Sequence, residues 1–341
     1  MNKKKLLSSL FSHLGLLPLL RLYDSRAPSL KILAYHRVMD IDVDKYLFDQ
    51  HLVDASVEDF DRQMKFLSSN YNVLPLSEAI DAFENAGNRE IVSLTFDDGF
   101  DDLYHNVFPI LKKYNIRPTI FITTGLIGTS DTLWSERLVY ALKSNIGRTL
   151  SAAPDGADKT IEIQLCNVET IIEDFLRFLK RIPDDKRQQR LLDLFEELGI
   201  EREQSYPDSK MMTWDMVEEM SDWGVEFGSH SVTHSVLANL DVESMKAELF
   251  QSKDAIEKRI GRCEVLAYPV GGVGAFNQDV MDAAKEAGFK VACSYLSGVV
   301  SSIDQGIYEL KRLHVDSTVT LSWFKGLLTC PRYFAANYMD D

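Results

Sequence analysis

The feature that most constrains what this chain can fold into is an alternation. Short runs rich in Ile, Val, Phe and Tyr recur along it, separated by longer stretches with helical apolar spacing. The runs are Ile32–Tyr35, Ile91–Phe96, Thr119–Thr123, Val225–Phe227, Val265–Tyr268, Val291–Ser294 and Leu310–Val315. Several are apolar without in–out alternation, as strands covered on both faces must be. Between them, Val57–Ser69 puts Phe60, Met64 and Leu67 on one face behind Ser56 as a cap. Leu103–Tyr114, Trp214–Trp223 behind Thr213, Val242–Ile260 and Asn277–Ala287 carry the same spacing. Strands joined by crossover helices pair in parallel. Seven of them predict an α/β fold, a distorted parallel (β/α)7 barrel. One stretch breaks the rhythm. Residues 130–211 offer only a weak strand near Thr160–Leu165, a polar loop at Asp155–Lys159, and amphipathic helices at Val168–Lys180 and Asp185–Leu198. This is expected to be a mostly helical insertion on a barrel loop, where such insertions shape access to a site.

Composition narrows the function. The chain has 341 residues, 45% of them apolar, enough for one large core. With 37 basic against 52 acidic residues the net charge is −15, which disfavours nucleic acid as a partner because such binding depends on cations meeting phosphates. Cys166, Cys263, Cys293 and Cys330 are far apart and show no C-x-x-C pairing; they read as free buried thiols in a reducing compartment. At the start, Lys3-Lys4-Lys5 precede an apolar-leaning run from Leu6 to Leu20. His13 and Pro18 interrupt it, Arg21 closes it, and no A-x-A site follows. It is too short and mixed to span a bilayer. Residues 1–30 are therefore expected to form an amphipathic segment ahead of one domain over 31–341, with residues 1–25 able to touch a membrane surface. Cytoplasmic placement, peripheral to the inner membrane, is expected over secretion.

Polar residues gather where the strands end. His36 follows the first run, Asp97-Asp98-Gly99 the second, and His230 and His234 the fourth; Tyr268-Pro269 closes the fifth and His314 lies near the end of the seventh. In a parallel β/α barrel these carboxyl ends share one mouth, where active sites sit. An isolated Asp-Asp-Gly is usually a loop or a helix cap. Here, adjacent carboxylates that point differently let one bind a metal while the other meets a water. The i, i+4 spacing of His230 and His234 puts two imidazoles on one side of a helical turn, a metal-binding arrangement. Two histidines and a carboxylate leave open positions on a divalent ion, the geometry hydrolysis requires. The donor set suits zinc first, and cobalt, nickel or iron(II) as well.

Ser93-Leu94-Thr95-Phe96-Asp97-Asp98-Gly99, with His230-Ser231-Val232-Thr233-His234 downstream, resembles the polysaccharide deacetylase family, carbohydrate esterase family 4 or NodB homology domain. Tyr35-His36-Arg37-Val38 is similar to the opening strand of its bacterial exopolysaccharide branch. The resemblance implies Asp97 as general base, Asp98, His230 and His234 as metal ligands, and His314, in Arg312-Leu313-His314-Val315, as general acid. Leu266-Ala267-Tyr268-Pro269-Val270-Gly271 occupies the third motif, which implies an oxyanion donor near Tyr268, Pro269 and Val270. Ala267 stands where many members have an arginine tethering the base, and Val270 where many have an aromatic. His36 is expected to contact substrate or to bond a neighbouring loop, and Trp134 to line the groove or to be core. The implied reaction removes N-acetyl groups from amino sugars of a glycan or glycolipid. Two alternatives stand beside it. One is a deacylase of lipid-linked or nucleotide-linked sugars at the membrane face; the other is a non-catalytic carbohydrate-binding relic, suggested by Ala267.

Overall fold

The structure, a computed structural model, describes residues 29–86, 91–201, 204–303 and 306–335. The expected N-terminal segment lies outside the described residues up to residue 28, and Leu30 already opens the first strand. Seven strands, β1 (Leu30–Tyr35), β2 (Ile91–Phe96), β3 (Thr119–Ile122), β4 (Glu226–Ser229), β5 (Val265–Ala267), β6 (Val291–Ser297) and β7 (Leu310–His314), run in parallel. Their order is β1-β7-β6-β5-β4-β3-β2, and β2 pairs back onto β1 from Leu30↔Ile91 to Tyr35↔Phe96, which closes the barrel. Each anticipated run lies on one of these strands. The ends moved most at β6, which continues to Ser297.

Alternation along each strand sorts the side chains. Leu33, Tyr35, Val92, Leu94, Phe96, Ile120, Ile122, Phe227, Leu266, Ala292 and Leu313 face the surrounding helices and form the larger core. Ile32, Ile91, Phe121, Val265, Val291, Cys293 and Leu310 fill the barrel, with Leu76, Ala79, Ile80 and Phe83 of helix Leu76–Ala86 packed against them. Burying one such Phe or Leu side chain stabilises by roughly 1.5–3 kcal/mol. That helix escaped the sequence reading because its start is held by distant groups. Leu76 N–H donates to Thr119 Oγ1 (2.8 Å) and Ser77 N–H to Glu226 Oε2 (3.2 Å).

Local signals were accurate where caps were local. Ser56 accepts from Asp59 N–H (3.1 Å) and Thr213 from Met216 N–H (3.3 Å). The single helix expected over Leu103–Tyr114 is instead a π-helical turn, Leu103–Val107, followed by an α-helix, Phe108–Tyr114. Pro109 has no N–H to give to the carbonyl four residues back, so a regular α-helix cannot run through it. Between β3 and β4 lie helices Trp134–Lys143, Val168–Leu179 and Asp184–Leu198, with a hairpin of Thr149–Ala152 and Asp158–Glu162. Asp158 and Lys159 are therefore strand, not loop. These elements share their own apolar cluster, including Leu138, Leu142, Ile172, Phe175, Leu194 and Phe195. Cys166 is exposed, unlike the three buried cysteines. No helix among the described residues is long and apolar enough to cross a membrane.

Candidate metal and catalytic site

The last inward position of β2 leads to Asp97, whose N–H donates to Tyr35 O (2.9 Å). Asp98 then takes φ 74°, and Gly99 N–H returns to Asp97 O (2.9 Å). A two-residue hydrogen bond around a positive φ is the γ-turn of the rare, strained hand. It turns successive carboxylates apart, so one strand end presents two acids in two directions. Across the mouth, His230 and His234 do not lie on a helical turn as expected. Residues 230–234 form a loop with Ser231 at φ 63° and His234 at φ 59°. Ser231 Oγ accepts the His234 N–H (3.0 Å), and Glu248 accepts the Val232 and Thr233 N–H groups (2.8 and 2.9 Å). The loop brings the two rings together, with centroids 5.0 Å apart.

Asp98 Oδ1 lies 3.5 Å from His230 Nε2 and 3.2 Å from His234 Nε2. These three residues offer ligand atoms within 4.8 Å of one another. Asp98 Oδ1 is buried and makes no hydrogen bond, an exposed cost unless something else meets it. His230 Nδ1–H donates to Ala267 O (2.8 Å), which leaves Nε2 as the bare lone pair. Burial pushes His230 down to about 4, so the ring is neutral at pH 7, as a ligand must be. Asp98 is buried, which opposes ionisation, but His234 and the other imidazoles hold it below its usual range. Two imidazoles and a carboxylate whose ligand atoms lie within 4.8 Å of one another match the donor set of a divalent ion.

Asp97 is held by a residue the sequence reading did not single out. Arg312 Nη1 and Nη2 donate to its two oxygens, each at 2.7 Å, and Arg312 Nε donates to Ser294 O (2.9 Å). Arg312 is fully buried inside the barrel, with its guanidinium 5.3 Å from the Tyr295 ring. Burial pushes the Asp97 carboxyl up, but Arg312 more than offsets this and keeps it ionised well below the ordinary range. The tether missing at Ala267 is thus supplied from β7. The signal lay in the alternation Leu310-x-Arg312-x-His314: an inward arginine in an apolar strand needs an anion.

The remaining expected residues separate. His36 faces the acids and is paired with Asp54, Nδ1 to Oδ2 at 3.2 Å. The His36 N–H also donates to that oxygen. Burial opposes its charge, yet Asp54 outweighs it and pushes His36 up to about 9, while burial pushes Asp54 up to about 6. Each partner thus favours the charged form of the other. Its backbone is pinned by the next residue, because Arg37 Nε donates to Asp102 Oδ1 (2.8 Å) and Val38 N–H to Asp102 Oδ2 (2.9 Å). His314 also reaches the mouth, its ring stacked on Tyr295 at 3.8 Å, but burial and the Arg312 charge push it down to about 3. Tyr268 turns away from the mouth. Since Ala267 points into the barrel, Tyr268 points to the helices, stacking on Phe276 (4.7 Å) with its hydroxyl donating to Tyr308 O (2.9 Å). Its N–H is spent on Cys293 O (3.1 Å). Pro269 is buried. Val270, at φ 64° with Gly271 N–H donating to Pro269 O (2.7 Å), forms a second strained γ-turn, and its own N–H makes no backbone hydrogen bond among the described residues. Trp134 is half-buried, and its Nε1–H donates to His234 O (3.1 Å).

The profile of the polysaccharide deacetylase family matches residues 84–163 and 180–292. Over 271 residues the chain is 22% identical to Bacillus subtilis (strain 168) YxkH, provisionally named a polysaccharide deacetylase, covering 78% of this chain and 67% of that protein. Over 80 residues it is 36% identical to the poly-beta-1,6-N-acetyl-D-glucosamine N-deacetylase of Staphylococcus aureus (strain MSSA476), covering 23% and 27% of the two chains. The fold is shared with the Streptococcus pyogenes deacetylase PplD in complex with acetate, at TM-score 0.59 and 19% identity, over 91% of this chain and 100% of that one.

Proposed function

Because this chain belongs to the polysaccharide deacetylase family, we propose that it is a metal-dependent carbohydrate N-deacetylase that hydrolyses N-acetyl groups on the amino sugars of a glycan. One observation carries the reading: an orphaned, buried Asp98 oxygen faces two imidazole Nε2 atoms at 3.5 and 3.2 Å, next to a second acid that Arg312 holds ionised. Relatives named as deacetylases of N-acetylated polymers support the substrate class.

Asp98, His230 and His234 would hold a divalent ion, zinc by donor preference, which would supply Lewis acidity for the acetamide carbonyl and the attacking water. The chain does the rest. Asp97 takes the proton of that water; each of its oxygens keeps a lone pair beyond the one Arg312 uses. The Val270 N–H, held out by its strained turn, donates to the developing oxyanion. His36 protonates the departing amine. Its contact with Asp54 at 3.2 Å pushes it up, whereas burial and the Arg312 charge push His314 down. His36 thus takes the role that the family resemblance gave to His314, and His314 with Tyr295 forms one wall of the mouth. With Asp97 tethered by Arg312, the reason to suspect a relic at Ala267 is gone.

The test is acetate release from oligomers of β-1,6-linked N-acetylglucosamine by metal-stripped protein to which single divalent ions are restored, with Asp97→Asn alongside. Release is expected to need the ion and to fall by about 10²–10⁴-fold in Asp97→Asn. Undiminished release in that variant sinks the proposed role of Asp97.

A further inference from the structure

We infer that Trp134 and Arg187, both from the segment inserted between β3 and β4, are positioning residues for the metal ligand His234, so that ion retention depends on how this segment docks onto the barrel. The inference rests on the deacetylase reading above and deepens it.

The two histidine ligands are oriented differently. His230 is fixed through its ring, by Nδ1–H donating to Ala267 O. His234 lacks such a partner: its Nδ1 is buried and makes no hydrogen bond. Its backbone also sits at φ 59°, a conformation that is strained for a residue bearing a Cβ and persists only when its surroundings impose it. The ring must therefore be aimed through the main chain. One side of the loop is held by Glu248 of helix Val242–Ile260, which accepts the Val232 and Thr233 N–H groups and the Thr233 hydroxyl (2.8 Å). The other side is held by the insertion. Trp134 Nε1–H donates to the His234 carbonyl (3.1 Å). Arg187, 4% exposed, donates from Nη2 to Ser235 Oγ (3.0 Å), pairs with Asp184, and lays its guanidinium 4.7 Å over the Trp134 ring. Ser235 Oγ is in turn bonded to Thr233 Oγ1 (2.7 Å). The carbonyl of the ligand and the residue after it are both clamped by side chains from outside the barrel.

Trp134→Phe keeps the ring and its contact with Arg187 and removes only the donor. Ser235→Ala leaves the insertion unaltered and removes the anchor of Arg187 together with the Thr233–Ser235 hydroxyl bond. Zinc affinity is measured by competition with a chromophoric chelator, and amide hydrogen exchange at residues 231–235 is followed in metal-free protein. Each variant is expected to lose about tenfold or more in zinc affinity, the scale typical of groups that orient a ligand, with faster exchange in the loop. Affinities within about twofold of the parent in both variants overturn the inference, even if melting temperatures fall, because a purely structural contact would move only stability. A parent protein that holds no divalent ion overturns the metal reading itself, an outcome distinct from the first.

Discussion

Arg312 on β7 grips Asp97 at the end of β2 with two hydrogen bonds of 2.7 Å, across the intervening strand β1. The guanidinium lies wholly inside the barrel, so the pair is dry, planar and rigid. Arg312→Met is expected to lower acetate release on the order of 10²-fold and to destabilise the fold by about 3 kcal/mol or more, since an unpaired buried carboxylate remains. The pH dependence has a fixed sign. Asp97 is held below its usual range, so its contribution to stability is full above the ordinary carboxylate pKa and fades only as pH falls through the lower folded value. Without Arg312 only the neighbouring imidazoles oppose burial, and the acid limb of kcat/KM moves to higher pH. An acid limb unmoved in Arg312→Met would show that the tether does not tune the base.

The acid is tested by its partner. Asp54→Asn should return His36 from about 9 toward its ordinary 6.5, because the burial that lowers it is then opposed only by Asp97 and Asp98. The alkaline limb of kcat should fall with it. The His36 charge stabilises the fold fully below about pH 6.5, the unfolded value, and that contribution is lost as pH rises through about 9. Activity of His36→Gln should be far below that of His314→Gln, and the reverse order in a pH–rate series would return the role to His314.

Metal binding should be visible without turnover. At zinc concentrations 100 times Kd the fold gains roughly 2.7 kcal/mol, measurable as a raised unfolding midpoint. Asp98→Ala and His230→Ala should abolish both this gain and stoichiometric metal in the purified protein. A full zinc-dependent shift in Asp98→Ala would remove that residue from the ligand set.

The turn after β5 has its own test. Gly271 sits at φ 60°, and a Cβ there would come within 2.7 Å of Tyr295 N and 2.9 Å of Tyr268 O, both backbone. Gly271→Ala is expected to cost about 2 kcal/mol or more in chemical denaturation. It should also lower kcat through the neighbouring Val270 N–H, because the γ-turn that frees that group ends on the Gly271 N–H. Unchanged stability would mean that the turn relaxes at no cost.

Much of this protein is written locally. The seven strands were legible because each is a short apolar run, and their parallel order followed from the helical stretches between them. Asp97, Asp98, His230 and His234 were legible because the strand ends of a parallel barrel converge by topology, whatever their distance along the chain. What only the tertiary structure decided has one physical cause in common, namely contact across the barrel or from outside it. Arg312 meets Asp97 because β7 and β2 flank β1 and both side chains turn to the barrel interior. His36 is pushed up because Asp54, from another segment, lies beside it. Tyr268 faces the helices because Ala267 faces inward, a parity fixed only when the strand register is set. Sequence spacing names residue types that can do chemistry; the dielectric and the partner around each, which set its charge, exist only once the chain has closed.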